Sequence, residues 1–374
     1  MNVVVLASAS RISGAKTIYL QFISHLSKYI GNDKYYIFVD PSVPQPEIEG
    51  VTYIQEADHS WKRRIAWDFR GFKAWTKKMG IKPDVVVSLQ NTSVKCDCKQ
   101  VVYYHQSLPL YPNKWNPLKA EERKLFLYKY IYPWFVKSTV KKDALIVVQI
   151  PFIKKGFVKT FKHHEENVYV LFPDMPVEIS EHSAEDEELK GKHYFIYPAI
   201  GINYKQHCTI VNAVKIAKAK YPELADKIKV VFTLDKEKDA FWVDYVKKKG
   251  CEANFEFTGH IDYKKLMRLV KNSHALLFPS TIESLGLPLV EAATMGKAIV
   301  AADKDYAREV LLDYSGVTFL PFDAYEQWAE EIVKLYRTYK TFASIKQRES
   351  SWGEFFKLIK DTLQEINNQT INII

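Results

Sequence analysis

The stretch FPSTIESLGLPLVEAATMGKAIVA, residues 278–301, places two carboxylates, Glu283 and Glu291, around the apolar segment SLGLPLV. The run ALLFP (275–279) reads as a β-strand, and KAIVAA (297–302) reads as the next one. Pro288 has the fixed φ that suits a first helical turn, so a helix is predicted over 288–295. Glu283 then lies in the loop at the carboxyl end of a strand, and Glu291 in the first turn of the helix. ESLGLP becomes a loop feeding a helix N-terminus, whose outward amides carry partial positive charge and suit a phosphate. Gly286 has no Cβ, so a ligand can come close to the backbone. Two acids around such a loop fit a diphosphate with sugars at both ends. A Glu in a first turn is also a plain capping choice, and a loop Glu needs no role, so the residues alone leave both readings open.

Outward from this stretch, short β-rich runs alternate with helical periods. On the N-terminal side lie VVVLA (3–7), YYIFV (35–39), VTYI (51–54), DVVVSL (84–89), VVYYH (101–105) and ALIVVQ (144–149), with helices over 15–29, 61–79 and 119–138. The alternation breaks in FPDMPVEISEHSAEDEELKGK (172–192), which reads as a solvated acidic linker, and restarts with HYFIYP (193–198). Near-continuous apolar strands separated by helices imply parallel sheets covered on both faces. Two doubly wound domains are expected, 1–175 and 176–351, with a ligand cleft between the carboxyl edges of their sheets.

The 374 residues, 47% hydrophobic and 26% charged, suit a two-domain globular chain. No apolar run is long enough for a membrane span, and the N-terminus reads as a first strand and not a signal peptide, so a cytoplasmic chain is expected. Four cysteines give no disulfide framework, and the Cys96–Cys98 pair reads as a loop with two reduced thiols. The net charge is +9, and Trp61–Lys82 holds eight Lys/Arg against one Asp, interleaved with Trp61, Trp67, Phe69, Phe72 and Trp75. Residues 114–142 are again basic and aromatic. Amphipathic helices with solvated basic faces and buried aromatics explain this, as does a surface that meets anionic lipid or an anionic substrate. No nucleic-acid-binding pattern accompanies the charge.

The same stretch resembles the E-x7-E signature of retaining GT-B glycosyltransferases, in particular family 4. FTGHIDYKKLMRLVKNSHALLFPS resembles that family's lead-in to the motif. YPAIGINYKQHCTIVNAV resembles its strand-loop-helix with a Lys-Asn-His element, here Lys205-Gln206-His207. VVYYHQS resembles its N-domain strand ending in a His, and SASRISGAKT stands at its first Gly-rich loop. The resemblance is specific over roughly 194–321 and loose before it. It implies two Rossmann-like domains facing a central cleft, the first for the acceptor and the second for the donor, with the helix after Trp352 crossing back to the first.

The resemblance also assigns roles. Glu283 would contact the donor sugar and Glu291 the nucleotide ribose. Ser284 would line the donor site, and the amides of Leu285, Gly286 and Leu287 would hold the diphosphate. Lys205 would stabilise the leaving group, with His105 near the reacting sugar. Gly14 would let the acceptor approach, and His207 would position the loop. Ala199 stands where the family usually has an Arg, and Arg11 is the candidate to compensate. The implied reaction is retaining transfer of a sugar from a UDP- or GDP-sugar to a glycan or lipid-linked acceptor, without a metal or other cofactor. A peripheral location at an anionic membrane face is part of the expectation. A nucleotide-sugar epimerase and a non-catalytic nucleotide-sugar-binding subunit are the alternatives.

Overall fold

The computed structural model describes every residue except 12, 57–59, 175–192, 347 and 372–374. The acidic linker therefore lies almost wholly outside the described residues. The chain divides into two units, Met1–Asp174 with Glu349–Ile374, and Met175–Arg348.

The first unit is built on seven parallel strands: β1 (Asn2–Ala7), β2 (Lys34–Val39), β3 (Val51–Gln55), β4 (Val85–Ser88), β5 (Lys99–Tyr103), β6 (Leu145–Val148) and β7 (Val168–Val170). Their order is β3-β2-β1-β4-β5-β6-β7. Helices alternate with strands, so the order reverses between β1 and β4, where Val3–Leu6 pair in register with Val85–Ser88. Val3, Val4, Val5, Val85, Val86 and Val87 are all fully buried, because both faces of the sheet are covered.

On one face, helix Ser13–Tyr29 and the terminal helix Trp352–Ile371 share one core with β1, β4 and β5. Phe22 stacks on Phe356 at 5.2 Å between centroids, and Tyr103 on Trp352 at 6.0 Å. The last helix in sequence is thus part of the first unit's core. Hydrogen bonds fix its start: Ser351 N–H donates to Phe172 O at 3.0 Å, and Trp352 Nε1 donates to Gln21 Oε1 at 3.1 Å.

On the other face, Phe38, Phe72 and Val86 form a second cluster with Trp67 and Trp75 packed against it. These two indoles belong to the core. Arg64 was grouped with the basic solvated face, but its Nε donates to Asp68 Oδ1 at 2.8 Å and Asp68 is buried. The i,i+4 spacing turns this arginine inward to pair an acid that burial would otherwise leave isolated.

Both basic, aromatic helices are interrupted. Trp61–Ala66 and Phe72–Met79 are joined by a π-helical turn, Trp67–Gly71, and Arg123–Phe126 and Tyr132–Thr139 by another, Leu127–Ile131. Helix Pro151–Phe161 and β7 were not read from the sequence. Pro151 looks like a breaker after ALIVVQI but occupies the first turn of the helix, where its missing N–H costs nothing. β7 has three residues and takes an edge, too short for a period to register.

The second unit has six parallel strands: β8 (Phe195–Tyr197), β9 (Val230–Phe232), β10 (Phe255–Phe257), β11 (Ala275–Phe278), β12 (Ala298–Ala302) and β13 (Val317–Leu320). Their order, β10-β9-β8-β11-β12-β13, is the doubly wound arrangement, with its reversal between β8 and β11.

Because Trp352 is 2% exposed within the first unit's core, Trp352→Ala should lower unfolding stability by about 3–5 kcal/mol, the usual scale for emptying a buried aromatic site. Urea unfolding of the full chain measures this; a loss below about 1 kcal/mol would mean that the terminal helix is dispensable to that core.

Candidate active site

Adjacent parallel strands whose crossovers leave in opposite directions open a gap at their carboxyl ends. In the second unit that gap lies between the loops after β8 and β11, and both loops carry the residues singled out above. A 3₁₀ turn, Asn203–Lys205, follows β8, and helix His207–Lys220 follows the turn. The two loops are fastened together: Tyr204 O accepts from Thr281 N–H at 2.9 Å and from Thr281 Oγ1 at 3.0 Å. Tyr197 Oη donates to Lys205 O at 2.6 Å, and Tyr306 Oη donates to Ser280 O at 2.7 Å. Held this way, Lys205 Nζ meets Glu283 Oε1 at 2.5 Å, with both side chains 14% exposed. The pair is charge-neutral and mostly withdrawn from water, so its attraction is weakly screened.

The apolar segment between the two glutamates has a structural answer. Ile282, Leu285, Leu289 and Val290 are all buried. Their side chains anchor the loop from below and leave Glu283 and Ser284 partly exposed. Gly286 caps helix Leu287–Thr294 at φ +73°, a conformation that glycine adopts without cost. A Cβ there would also come within 3.3 Å of Leu289 Cδ1 and of the Tyr306 ring. The helix thus starts at Leu287, with its first amides free of intrahelical partners.

Glu291 was expected in the first turn of this helix. It stands in the second, because the helix begins one residue earlier than the proline suggested, and its first turn contains no acid. Glu291 is buried, and burial raises its pKa to about 7; the hydrogen bond from Tyr263 acts in the opposite direction. Tyr263 opens helix Tyr263–Asn272 and is absent from the sequence reading. It lies 28 positions before Glu291, and no local pattern links the two.

His207 is a core residue. It is fully buried, its ring lies 4.8–5.0 Å from those of Tyr197, Phe232 and Trp242, and burial lowers its pKa to about 3. It fixes the start of the helix behind Lys205 and takes no part in the surface of the site.

The other candidates belong to the first unit. His105 follows β5 and is held by Asn91, whose Oδ1 accepts from the His105 N–H at 2.6 Å and whose Nδ2 lies 3.1 Å from Nε2. Since Oδ1 takes the backbone proton, Nδ2 must donate, so Nε2 accepts and the ring proton sits on Nδ1. Burial lowers the His105 pKa to about 4, so the ring is neutral at pH 7. His105 and Arg11 line one cavity of about 360 Å³, at the reversal between β1 and β4. There Ala9 N–H donates to Gln90 Oε1 at 3.2 Å, and Ser10 Oγ to Leu89 O at 3.2 Å. Gly14 is exposed, and a Cβ added to it would meet nothing within 4 Å. Packing does not require a glycine there.

Comparison with known proteins agrees with this geometry. Residues 178–352 match the family model described as glycosyl transferases group 1. That match spans nearly the whole second unit. An uncharacterized glycosyltransferase of Methanocaldococcus jannaschii is 26% identical over 216 residues, covering 55% of this chain and 53% of the relative. The chain thus spans about half the length of that curated relative. Among solved structures, WaaG, a glycosyltransferase involved in lipopolysaccharide biosynthesis, superposes with a TM-score of 0.66 at 15% identity, over 90% of this chain and 91% of WaaG. HepE of Anabaena, in complex with UDP and glucose, superposes with a TM-score of 0.63 at 13% identity, over 98% of this chain and all of HepE (100%). The chain therefore has the GT-B fold of these structures.

The buried Glu291 gives a pH signature. Its folded pKa, about 7, lies above the 4.5 of an ordinary Glu, so the folded state holds the proton more tightly. Stability contributed by this group is full below pH 4.5 and falls as pH rises toward 7. Relative to wild type, Glu291→Gln should gain stability from pH 5 to pH 8, by up to about 3 kcal/mol. Urea unfolding of both proteins at the two pH values reads the difference; a constant offset would mean that Glu291 is ionised throughout.

Proposed function

We propose that the chain is a retaining glycosyltransferase that moves a sugar from a nucleotide sugar to a hydroxyl of a glycan or lipid-linked acceptor. The observation that carries this reading is the Lys205–Glu283 pair beside the Gly286-capped helix, at the strand-order reversal of the second unit. A diphosphate at the amides of Leu285, Gly286 and Leu287 would meet the positive end of the helix, and Lys205 would turn to it. Glu283 would then hold hydroxyls of the donor sugar, and Glu291 with Tyr263 would face the ribose. UDP- and GDP-sugars are the expected donors; the UDP complex of HepE, a protein of the same fold, supports a nucleotide donor.

In the reaction, the bond between the sugar's anomeric carbon and the phosphate oxygen breaks, and the electron pair leaves with the nucleoside diphosphate. The acceptor oxygen bonds to the same face of the anomeric carbon, and its proton passes to the leaving phosphate. Negative charge grows on the diphosphate as the bond breaks, so a preorganised ammonium and helix N-terminus stabilise the transition state more than the bound donor. Because these groups can neutralise the diphosphate, no metal is assigned to the reaction.

Lys205→Ala should lower turnover more than about 100-fold. Glu283→Gln should abolish transfer yet leave nucleoside diphosphate binding nearly intact. Sugar transfer and donor hydrolysis, measured with UDP- and GDP-sugars with and without EDTA, test the reading. Turnover within a few-fold of wild type in both variants would remove the pair from the reaction, and loss of activity in EDTA would remove the metal-free account. Tight nucleotide-sugar binding without turnover would instead indicate a binding subunit.

The first unit is proposed to hold the acceptor and to meet an anionic membrane surface. Trp61, Leu127, Ile131 and Trp134 are 54%, 50%, 45% and 58% exposed. Their helices touch through Trp61 and Phe135 at 5.8 Å and through Phe69 and Trp134 at 6.1 Å. Lys62, Arg63, Arg70 and Lys124 are exposed on the same helices. Aromatic side chains at the headgroup level and about 1 kcal/mol per nearby cation would concentrate the protein there. Among the described residues no helix is long and apolar enough to cross a membrane. Flotation should show binding to anionic vesicles, none to neutral ones, and release at high salt; no binding to either vesicle type would leave these helix faces simply solvated.

A further inference from the structure

The cavity of the first unit has a composition that the transferase reading leaves unexplained. Three cations surround it: Arg11 from the loop after β1, Arg64 from helix Trp61–Ala66, and Lys124 from helix Arg123–Phe126. Arg64 is preorganised. Its Nε donates to the buried Asp68 at 2.8 Å and its Nη2 to Thr92 Oγ1 at 3.2 Å. That leaves the remaining edge of the guanidinium without a partner among the described residues. Arg11 and Lys124 carry no side-chain partner among those residues either. Trp61 and Tyr128 supply flat apolar walls, and Glu56 lines the same cavity as a hydrogen-bond acceptor. About 360 Å³ is at the lower end of the range for small-molecule sites and suits a single sugar ring.

The two π-helical turns bear on the same place. Asp68 lies in Trp67–Gly71, and Tyr128 lies in Leu127–Ile131. A π turn inserts one residue into the helical ladder, costs regular hydrogen bonding, and re-aims the side chains that follow; such turns recur at functional sites. Here both insertions fall where a helix lines the cavity. Each brings one cavity residue to the wall: the acid that orients Arg64, and an aromatic ring.

We propose that this cavity is the acceptor pocket and that it takes a sugar ring bearing a negative charge, a phosphate or a carboxylate. The ring lies against Trp61 or Tyr128, its hydroxyls meet Glu56, and its anionic group is held by Arg64, Arg11 and Lys124. A guanidinium with one edge already bonded to a carboxylate offers the other edge as a rigid fork for an oxyanion. The inference rests on the transferase reading for the word acceptor, but the pocket and its charge preference stand on the first unit alone.

The test is calorimetric titration of the full chain, without donor, using glucose 6-phosphate, glucuronate and methyl glucoside as probes. One of the anionic probes should bind at least ten-fold more tightly than methyl glucoside, and which one it is separates phosphate from carboxylate. That binding should weaken with added salt. Lys124→Gln and Arg11→Gln, both at exposed positions, should each weaken it several-fold. Arg64→Gln combined with Asp68→Asn, which removes the buried pair together, should abolish it. Equal affinity for the neutral and charged probes, or no binding of any of them, overturns the proposal. Titration of UDP and GDP into the same preparations reads the donor site separately. Failure there touches the transferase reading, whereas failure with the sugar probes touches only this pocket.

Discussion

The adjacency of β8 and β11 is the constraint on which the candidate site depends. They are neighbours in the sheet although Phe195 and its register partner Ala275 lie 80 positions apart in the chain. The strand order reverses there, so the loops leave the sheet edge in opposite directions and face each other across a gap. Thr281 closes the gap at its base with two hydrogen bonds to Tyr204 O. Lys205 and Glu283 are thereby brought face to face, and the ion pair follows from where their loops are tied. Had β8 and β11 been separated by another strand at about 4.8 Å spacing, this pair could not form.

The loop after β11 divides its work by side chain and backbone. Ile282, Leu285, Leu289 and Val290 are consumed by the core, which anchors the backbone without using polar groups. What remains outside is the polar part: Glu283, Ser284 and the first amides of a helix whose glycine cap permits the turn. Preorganisation of this kind is what electrostatic stabilisation of a leaving diphosphate requires, since donors that must be ordered during the reaction lose part of their advantage. The two motif glutamates end in different environments. Glu283 meets a cation, whereas Glu291 is buried beside a hydroxyl and has its pKa raised to about 7.

The first unit repeats the topological device at β1 and β4, but lines the resulting cavity with arginine and aromatic side chains and with no glycine-capped helix. Its helices are interrupted by π turns and share an aromatic seam, Trp61 with Phe135 and Phe69 with Trp134. Trp61 belongs both to the cavity wall and to the exposed apolar face. A ligand with an apolar tail would therefore find both features within the reach of one side chain.

Much of this was legible in the chain. Alternating apolar runs and helical periods determine two parallel α/β units, because strands buried on both faces must be apolar throughout. The E-x7-E stretch, with Gly286 and Pro288 between its acids, determines a loop-to-helix turn at a strand end. Tertiary structure decided the rest. It packed Trp67 and Trp75 over Phe38, as buried aromatics on amphipathic helices would be, and turned Arg64 from the basic face inward to Asp68. It moved Glu291 into the second turn and supplied Tyr263 as its partner. It gathered Arg11, Arg64, Lys124 and His105 around one cavity from segments up to 113 residues apart, counting from Arg11 to Lys124. A sequence carries local periodicity and turn chemistry, which act over a few residues; which distant side chains meet is set by strand order and packing, and those exist only once the chain is folded.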